Sequence, residues 1–207
     1  MSNPKSPFYI VQEFISPLMC EEIIDQLNFT VPDNDTSGNP IVTIKSDADY
    51  EAFLYGEFNN LKSSISAYYD RDHRATTEFS FQWYAQGSTG PMHAENAERA
   101  ADKWMRVYDR DITCVLFLSD YQSQPPIDDE YEVYGGKLEF PQHGFGFNAQ
   151  RGTLIAFPSD PHFINGITPI MAGNLYLVKF HIATDKPLYY DHKNFPGTYK
   201  DWMQHYV

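Results

Sequence analysis

From residue 77 onward the chain is a succession of short strand-like runs, at 77–86, 112–118, 136–140, 153–157, 163–170 and 175–182, each bounded by turn residues. The turn residues between these six runs mark them as separate short strands. They must fold back on one another as sheets. Ahead of them the pattern differs. Residues 8–14 read as a strand, and Ser16 caps a helix that starts with Pro17 and runs through Leu27. Phe53, Leu54, Phe58, Leu61, Ile65 and Tyr68 recur at three- and four-residue intervals and predict a second helix over about 47–69. Two helices followed by many short strands predict an α+β protein, mainly β, whose sheets close into a sandwich or barrel with the helices on one side.

A chain of 207 residues can bury one sizeable core, and 16% aromatic residues exclude a disordered one. A single domain is expected, with strand and helices at 8–70, a β core at 77–183 and an extension at 184–207. No apolar run is long enough to span a bilayer, and the first seven residues carry no apolar leader stretch. The formal charge of −13 disfavours bare nucleic acid and anionic membranes as partners. Cys20 and Cys114 both sit in apolar surroundings, which predicts buried thiols and a reducing, cytoplasmic setting. The segments 31–45 and 125–132 read as exposed loops; either could cover a substrate.

His93 and Glu95 lie two apart. On extended backbone both would point to one side, where an imidazole and a carboxylate can share a metal ion. Gly87, Ser88, Thr89, Gly90 and Pro91 form a turn just before them. With seven histidines in an acid-rich chain, one His-x-Glu is weak by itself, and 93–99 could equally begin an exposed helix. His73, His143, His192 and His205 have loop-like or terminal neighbours and read as surface residues, while His181 is assigned to the face opposite Lys179. No Ser/His/Asp or Cys/His set is present. Gly144-Phe145-Gly146 precedes a strand rather than a helix, so it is no phosphate cradle.

Taken in order, these segments resemble the 2-oxoglutarate/Fe(II) dioxygenases of the prolyl 4-hydroxylase class, over residues 8 to 182. Tyr84-x-x-Gly87 followed by His93-x-Glu95-Asn96 is similar to the class segment Tyr-x-x-Gly…His-x-Asp-Asn. Residues 110–118 are similar to its Thr-containing strand, and Gly135-Gly136-Lys137-Leu138 to its Gly-Gly-x-Leu strand. Residues 151–159 and 167–173 are similar to the strand and turn around its second histidine. The resemblance implies a double-stranded β-helix, a cupin-like jelly roll. It also implies Fe(II) and 2-oxoglutarate, with ascorbate as an optional reductant. The expected reaction hydroxylates an unactivated C–H bond, of a prolyl or other residue in a protein or of a small molecule, and turns 2-oxoglutarate into succinate and CO2.

The chain departs from that pattern in three places. Glu95 stands where the class has Asp. Asn165 stands in the slot of the second histidine. Asn174 stands in the slot of the cation that binds the distal cosubstrate carboxylate. The resemblance then implies metal ligation by His93, Glu95 and a substitute, His162, turned inward by a bulge. It places Tyr84, Asn174 and Lys179 at the cosubstrate, with Lys179 or Arg151 supplying the cation. The alternative is a catalytically degenerate jelly roll that binds a ligand or a partner protein.

Overall fold

In the computed structural model, residues 6–27, 41–44, 48–101, 103–126 and 130–188 are described. The segment 31–40, most of the predicted 31–45 loop, residues 127–129 and the extension beyond 188 lie outside them. The strands are β1 (Tyr9–Val11), β2 (Ile41–Ile44), β3 (His73–Thr76), β4 (Ser80–Tyr84), β5 (Gly90–His93), β6 (Ala97–Ala100), β7 (Lys103–Arg106), β8 (Ile112–Phe117), β9 (Asp120–Tyr121), β10 (Glu132–Gly135), β11 (Leu138–Phe140), β12 (Phe145–Phe147), β13 (Leu154–Pro158), β14 (Asn165–Ile167), β15 (Ile170–Gly173) and β16 (Leu175–Thr184). Two helices, α1 (Pro17–Leu27) and α2 (Ala48–Tyr69), precede most of them.

The larger sheet has the order β1-β13-β8-β16-β4-β2, with β3 also paired to β16. Opposite it lie a four-stranded sheet, β12-β11-β14-β5, and a three-stranded one, β15-β10-β9. Pairing that is antiparallel except between β9 and β10, with crossovers between the sheets, makes the expected double-stranded β-helix. β16 and β8 are buried along nearly their whole length, as central strands covered on both faces must be.

The even-numbered face of β16 meets the helices: Phe180 packs on Phe58 of α2 with ring centres 5.3 Å apart. Tyr69, at the end of α2, donates its hydroxyl to the Ala156 carbonyl of β13 at 2.8 Å, and Tyr68 donates to the Ser6 carbonyl. The Ser16 hydroxyl accepts from the Met19 amide, so the predicted cap of α1 forms. The odd-numbered face of β16, carrying Leu175, Leu177, Lys179 and His181, is thereby left for the barrel interior.

The predicted single strand at 163–170 is broken into a 3-10 turn (Pro161–Phe163), β14 and the start of β15. Pro169 has no amide to donate, and the chain turns at Thr168–Pro169. Residues 97–106 form a β hairpin, so 93–99 does not begin a helix. No helix among the described residues is long and apolar enough to cross a membrane.

Candidate functional site

The site is built where β5, the bend after it and β16 converge. His93 ends β5 and Glu95 lies in the bend. Asn96 fixes that bend: its amide donates to the Ser159 carbonyl, its side chain donates to the Arg110 carbonyl, and its own carbonyl accepts from Val107 and Tyr108. The Glu95 carboxylate is thus carried inward and is only 3% exposed.

Three titratable side chains surround it. Lys179 Nζ donates to Oε1 at 2.9 Å, His93 Nε2 lies 3.2 Å from the same oxygen, and His181 Nε2 lies 3.1 Å from Oε2. Burial pushes the Glu95 carboxyl up, but the Lys179 charge and the two imidazoles outweigh it and hold the group well below the usual carboxylate range. Burial also opposes charge on Lys179, and Glu95 overcomes that to raise it. The hydrogen bond to Glu95 raises His93. His181 is lowered, because burial outweighs the same carboxylate.

Two spaces adjoin this cluster. An open cavity of ≈560 Å³ is walled by His93, Glu95, Arg110, Lys179 and His181, with Thr77–Ser80 and Gln82 at its side. Behind Lys179 lies a closed void of ≈30 Å³ between Tyr84, His93, Asn165 and Leu177. The resemblance places the cosubstrate on this Tyr84 side. A space that size holds a few waters at most, not a five-carbon dicarboxylate.

Of the residues singled out in the sequence, His93, Glu95, Tyr84 and Lys179 come together. His162 does not join them. It sits in the Pro161–Phe163 turn with its side chain 62% exposed, 3.1 Å from Asp160 through Nδ1, and it does not line either space. Nor does Asn174, whose Oδ1 accepts from the Trp83 indole on the far side of β16 from Lys179. Arg151 pairs with Glu21 of α1. The residue facing His93 is Asn165, its direct ladder partner across β5 and β14. A bulge is present here, but it falls within β5 opposite Gly166 and leaves His162 outside. The strands close tightly at that point: a Cβ on Gly166 would lie 2.7 Å from the Gly90 carbonyl.

His181 is the participant that the sequence reading placed wrongly. Residues 179 and 181 are two apart on one strand and share a face. Strand parity alone was the available signal. His143 is also not a surface residue: it is buried, stacked on Phe163 at 4.6 Å, with Nε2 near the His162 carbonyl at 2.9 Å.

Whether this donor set suits Fe(II) can be judged from its own chemistry. His93 suits it: Nδ1 lies 2.8 Å from the Pro91 carbonyl, which fixes the ring and leaves Nε2 for a ligand. The rest does not. The imidazole expected opposite His93 is replaced by the Asn165 amide, a weak ligand; the other imidazole present, His181, sits on Oε2 rather than on the Oε1 that His93 faces, and Oε1 already holds an ammonium. Among the described residues, no group of three or more His, Cys, Asp and Glu side chains is arranged to hold a metal ion. The residues present do not fit the three-ligand iron site.

No protein-family model and no curated sequence matches the chain. Solved structures do match it. A viral collagen prolyl hydroxylase from Paramecium Bursaria Chlorella virus-1, in complex with 2-oxoglutarate, superposes with a TM-score of 0.62 at 13% identity, over 87% of this chain and 97% of that one. A Pseudomonas putida prolyl-4-hydroxylase gives 0.56 at 16% identity, over 87% and 94%. A Trichoplax adhaerens prolyl hydroxylase bound to a hypoxia inducible factor peptide gives 0.57 at 14%, over 86% and 84%. The chain therefore has the fold of the prolyl-hydroxylase-like 2-oxoglutarate dioxygenases.

Proposed function

We propose that this chain is a ligand-binding protein built on the prolyl-hydroxylase fold, in which a lysine ammonium takes over the charge-balancing role of the metal. One observation carries the reading: Lys179 Nζ lies 2.9 Å from Glu95 Oε1, inside the barrel. A buried carboxylate needs a cation, and this one has it from the chain itself. Asn165 opposite His93 points the same way.

The open cavity at the barrel mouth is the ligand site. Arg110 donates to the Glu95 carbonyl and lies 4.5 Å over the Tyr108 ring, but among the described residues it has no carboxylate partner. It is the wall cation left for a ligand, which favours a carboxylate-bearing small molecule.

A second reading has its own support. Asn165 Oδ1 is buried with no hydrogen-bond partner among the described residues, and an orphaned oxygen beside His93 is suited to a cation. On this reading the chain is an Fe(II)- and 2-oxoglutarate-dependent hydroxylase of a prolyl or other protein residue, or of a small molecule. His93, Glu95 and the Asn165 amide would be its ligands, and Lys179 would have to release Glu95.

The deciding experiment is the visible absorption of the purified protein with Fe(II) and 2-oxoglutarate under anaerobic conditions. The binding-protein reading expects no metal-to-ligand charge-transfer band, together with a rise in thermal midpoint on adding small carboxylates that Arg110→Met removes. A band at stoichiometric iron would overturn it in favour of the hydroxylase.

A further inference from the structure

We infer that two side chains, Asn165 and Lys179, keep this barrel in a metal-free form, and that Lys179 is the stronger barrier of the two. The inference rests on the binding-protein reading and adds what enforces it. A cation held by His93 would have to draw on Glu95 Oε1, the carboxylate oxygen 3.2 Å from His93 Nε2. That oxygen is bound by Lys179. The other oxygen, Oε2, is bound by His181. Both lobes of the carboxylate are therefore engaged before any ion arrives.

The Lys179 backbone is fixed and its ammonium is tied to Glu95. Its side chain is only 13% exposed, enclosed on a strand hydrogen-bonded on both sides, to Val115 of β8 and Ser80 of β4. It separates the open cavity from the closed void and lines both.

Asn165 is the weaker barrier. It already stands in the ladder position opposite His93, so a histidine there would present a second imidazole without moving the backbone. It would do nothing to free Glu95. Charge balance gives the same ranking. With Lys179 made neutral, Glu95 becomes a buried anion lacking a full countercharge, and a divalent cation restores it. A histidine at 165 with Lys179 in place adds a ligand but still asks the ion to share the site with an ammonium.

The test is titration of cobalt(II) into the wild type, Lys179→Gln, Asn165→His and the double variant, reading the visible absorption of bound cobalt and the thermal midpoint. Glutamine keeps a hydrogen-bond donor toward Glu95 while removing the charge. The expected order of affinity is double variant, then Lys179→Gln, then Asn165→His, with the double variant at least tenfold tighter than Asn165→His. The wild type should show no cobalt spectrum and no midpoint shift. Adding Glu95→Gln to the double variant should abolish binding, which places the ion at this site.

Equal affinity in Asn165→His and the double variant would remove Lys179 as the barrier. A folded double variant that binds no cobalt would overturn the inference while leaving the binding-protein reading intact. Tight, Glu95-dependent cobalt binding by the wild type would overturn both. Should the lysine variants not fold alone, refolding with cobalt decides the matter: rescue of the double variant by metal supports the inference, and no rescue overturns it.

Discussion

Two buried carboxylates can be set side by side. Asp111, 1% exposed at the start of β8, is satisfied by donors that do not titrate: the amides of Thr184 and Leu188 donate to it at 2.9 and 3.2 Å, the Thr184 hydroxyl at 3.1 Å, and Arg106 at 2.8 Å. Glu95, 3% exposed, is satisfied by side chains alone, and all three of them titrate. Asp111 ties the end of β16 to β8 and lines neither of the two spaces beside the Glu95 cluster. Glu95 stands in the wall of an open cavity and holds together groups that can change charge. Donors that do not titrate make a fastening with one state. Titratable partners beside a cavity make a site whose charge responds to what enters.

The comparison is broken most forcefully by removing partners. Lys179→Ala leaves a buried carboxylate without its ammonium and should cost about 3–5 kcal/mol in chemical denaturation. Replacing the whole pair with apolar residues, Lys179→Met with Glu95→Leu, should recover most of that, because burying ions is itself costly. A double variant as unstable as the single would mean that the pair is no isolated unit. Asp111→Ala should cost about 2–4 kcal/mol, since the Thr184 and Leu188 amides lose their acceptor. No single partner change should rescue it, because the two backbone amides stay without an acceptor whichever side chain is changed. Rescue by Arg106→Leu would refute the fastening role.

Acid sharpens the same contrast. The folded Glu95 carboxyl is depressed, so its contribution is fully present above the unfolded value of about 4.3 and is lost as pH falls through the folded one. His93 is raised, so its contribution is present below about 6.5 and lost as pH rises through its folded value. His181 is lowered, so the fold also weakens as pH drops below about 6.5. Stability measured from pH 3 to 8 should therefore fall on the acid side in the wild type. Glu95→Gln should flatten the part below about pH 4.3. An unchanged acid limb in Glu95→Gln would mean that other carboxylates set it.

How much of this was legible depended on which face of a strand carried the signal. Both helices could be read because their apolar stripes are one-sided: Leu54, Phe58 and Ile65 are buried where the spacing put them. Asn165 opposite His93 was legible through the order of motifs. The role of His181 was not. β16 is apolar on both faces, so its composition hides which residues look inward, and only parity with Lys179 could have told. The partition of Glu95 between Lys179 and the two imidazoles depends on where a bend between β5 and β6 aims a side chain, and local sequence does not fix that. His162 looked attractive because sequence proximity to Asn165 stood in for direction. The Pro161–Phe163 turn, capped by the Asp160 side chain on the His162 amide at 2.7 Å, sends it outward instead.

The smallest effects test that last distinction. His162→Ala removes an exposed ring whose nearest carboxylate partner, Asp160, still accepts the backbone amide, so stability should stay within about 0.5 kcal/mol of the wild type. Asn174→Ala should cost more, about 1 kcal/mol, because the Trp83 indole N–H at 2.9 Å loses its acceptor. Neither should alter carboxylate binding, since neither residue lines the open cavity. A His162→Ala variant that lost carboxylate affinity would return that histidine to the site. The Pro161–Phe163 turn would then have to rearrange on binding, and Asp160, 2% exposed beneath it, would become the residue to test next.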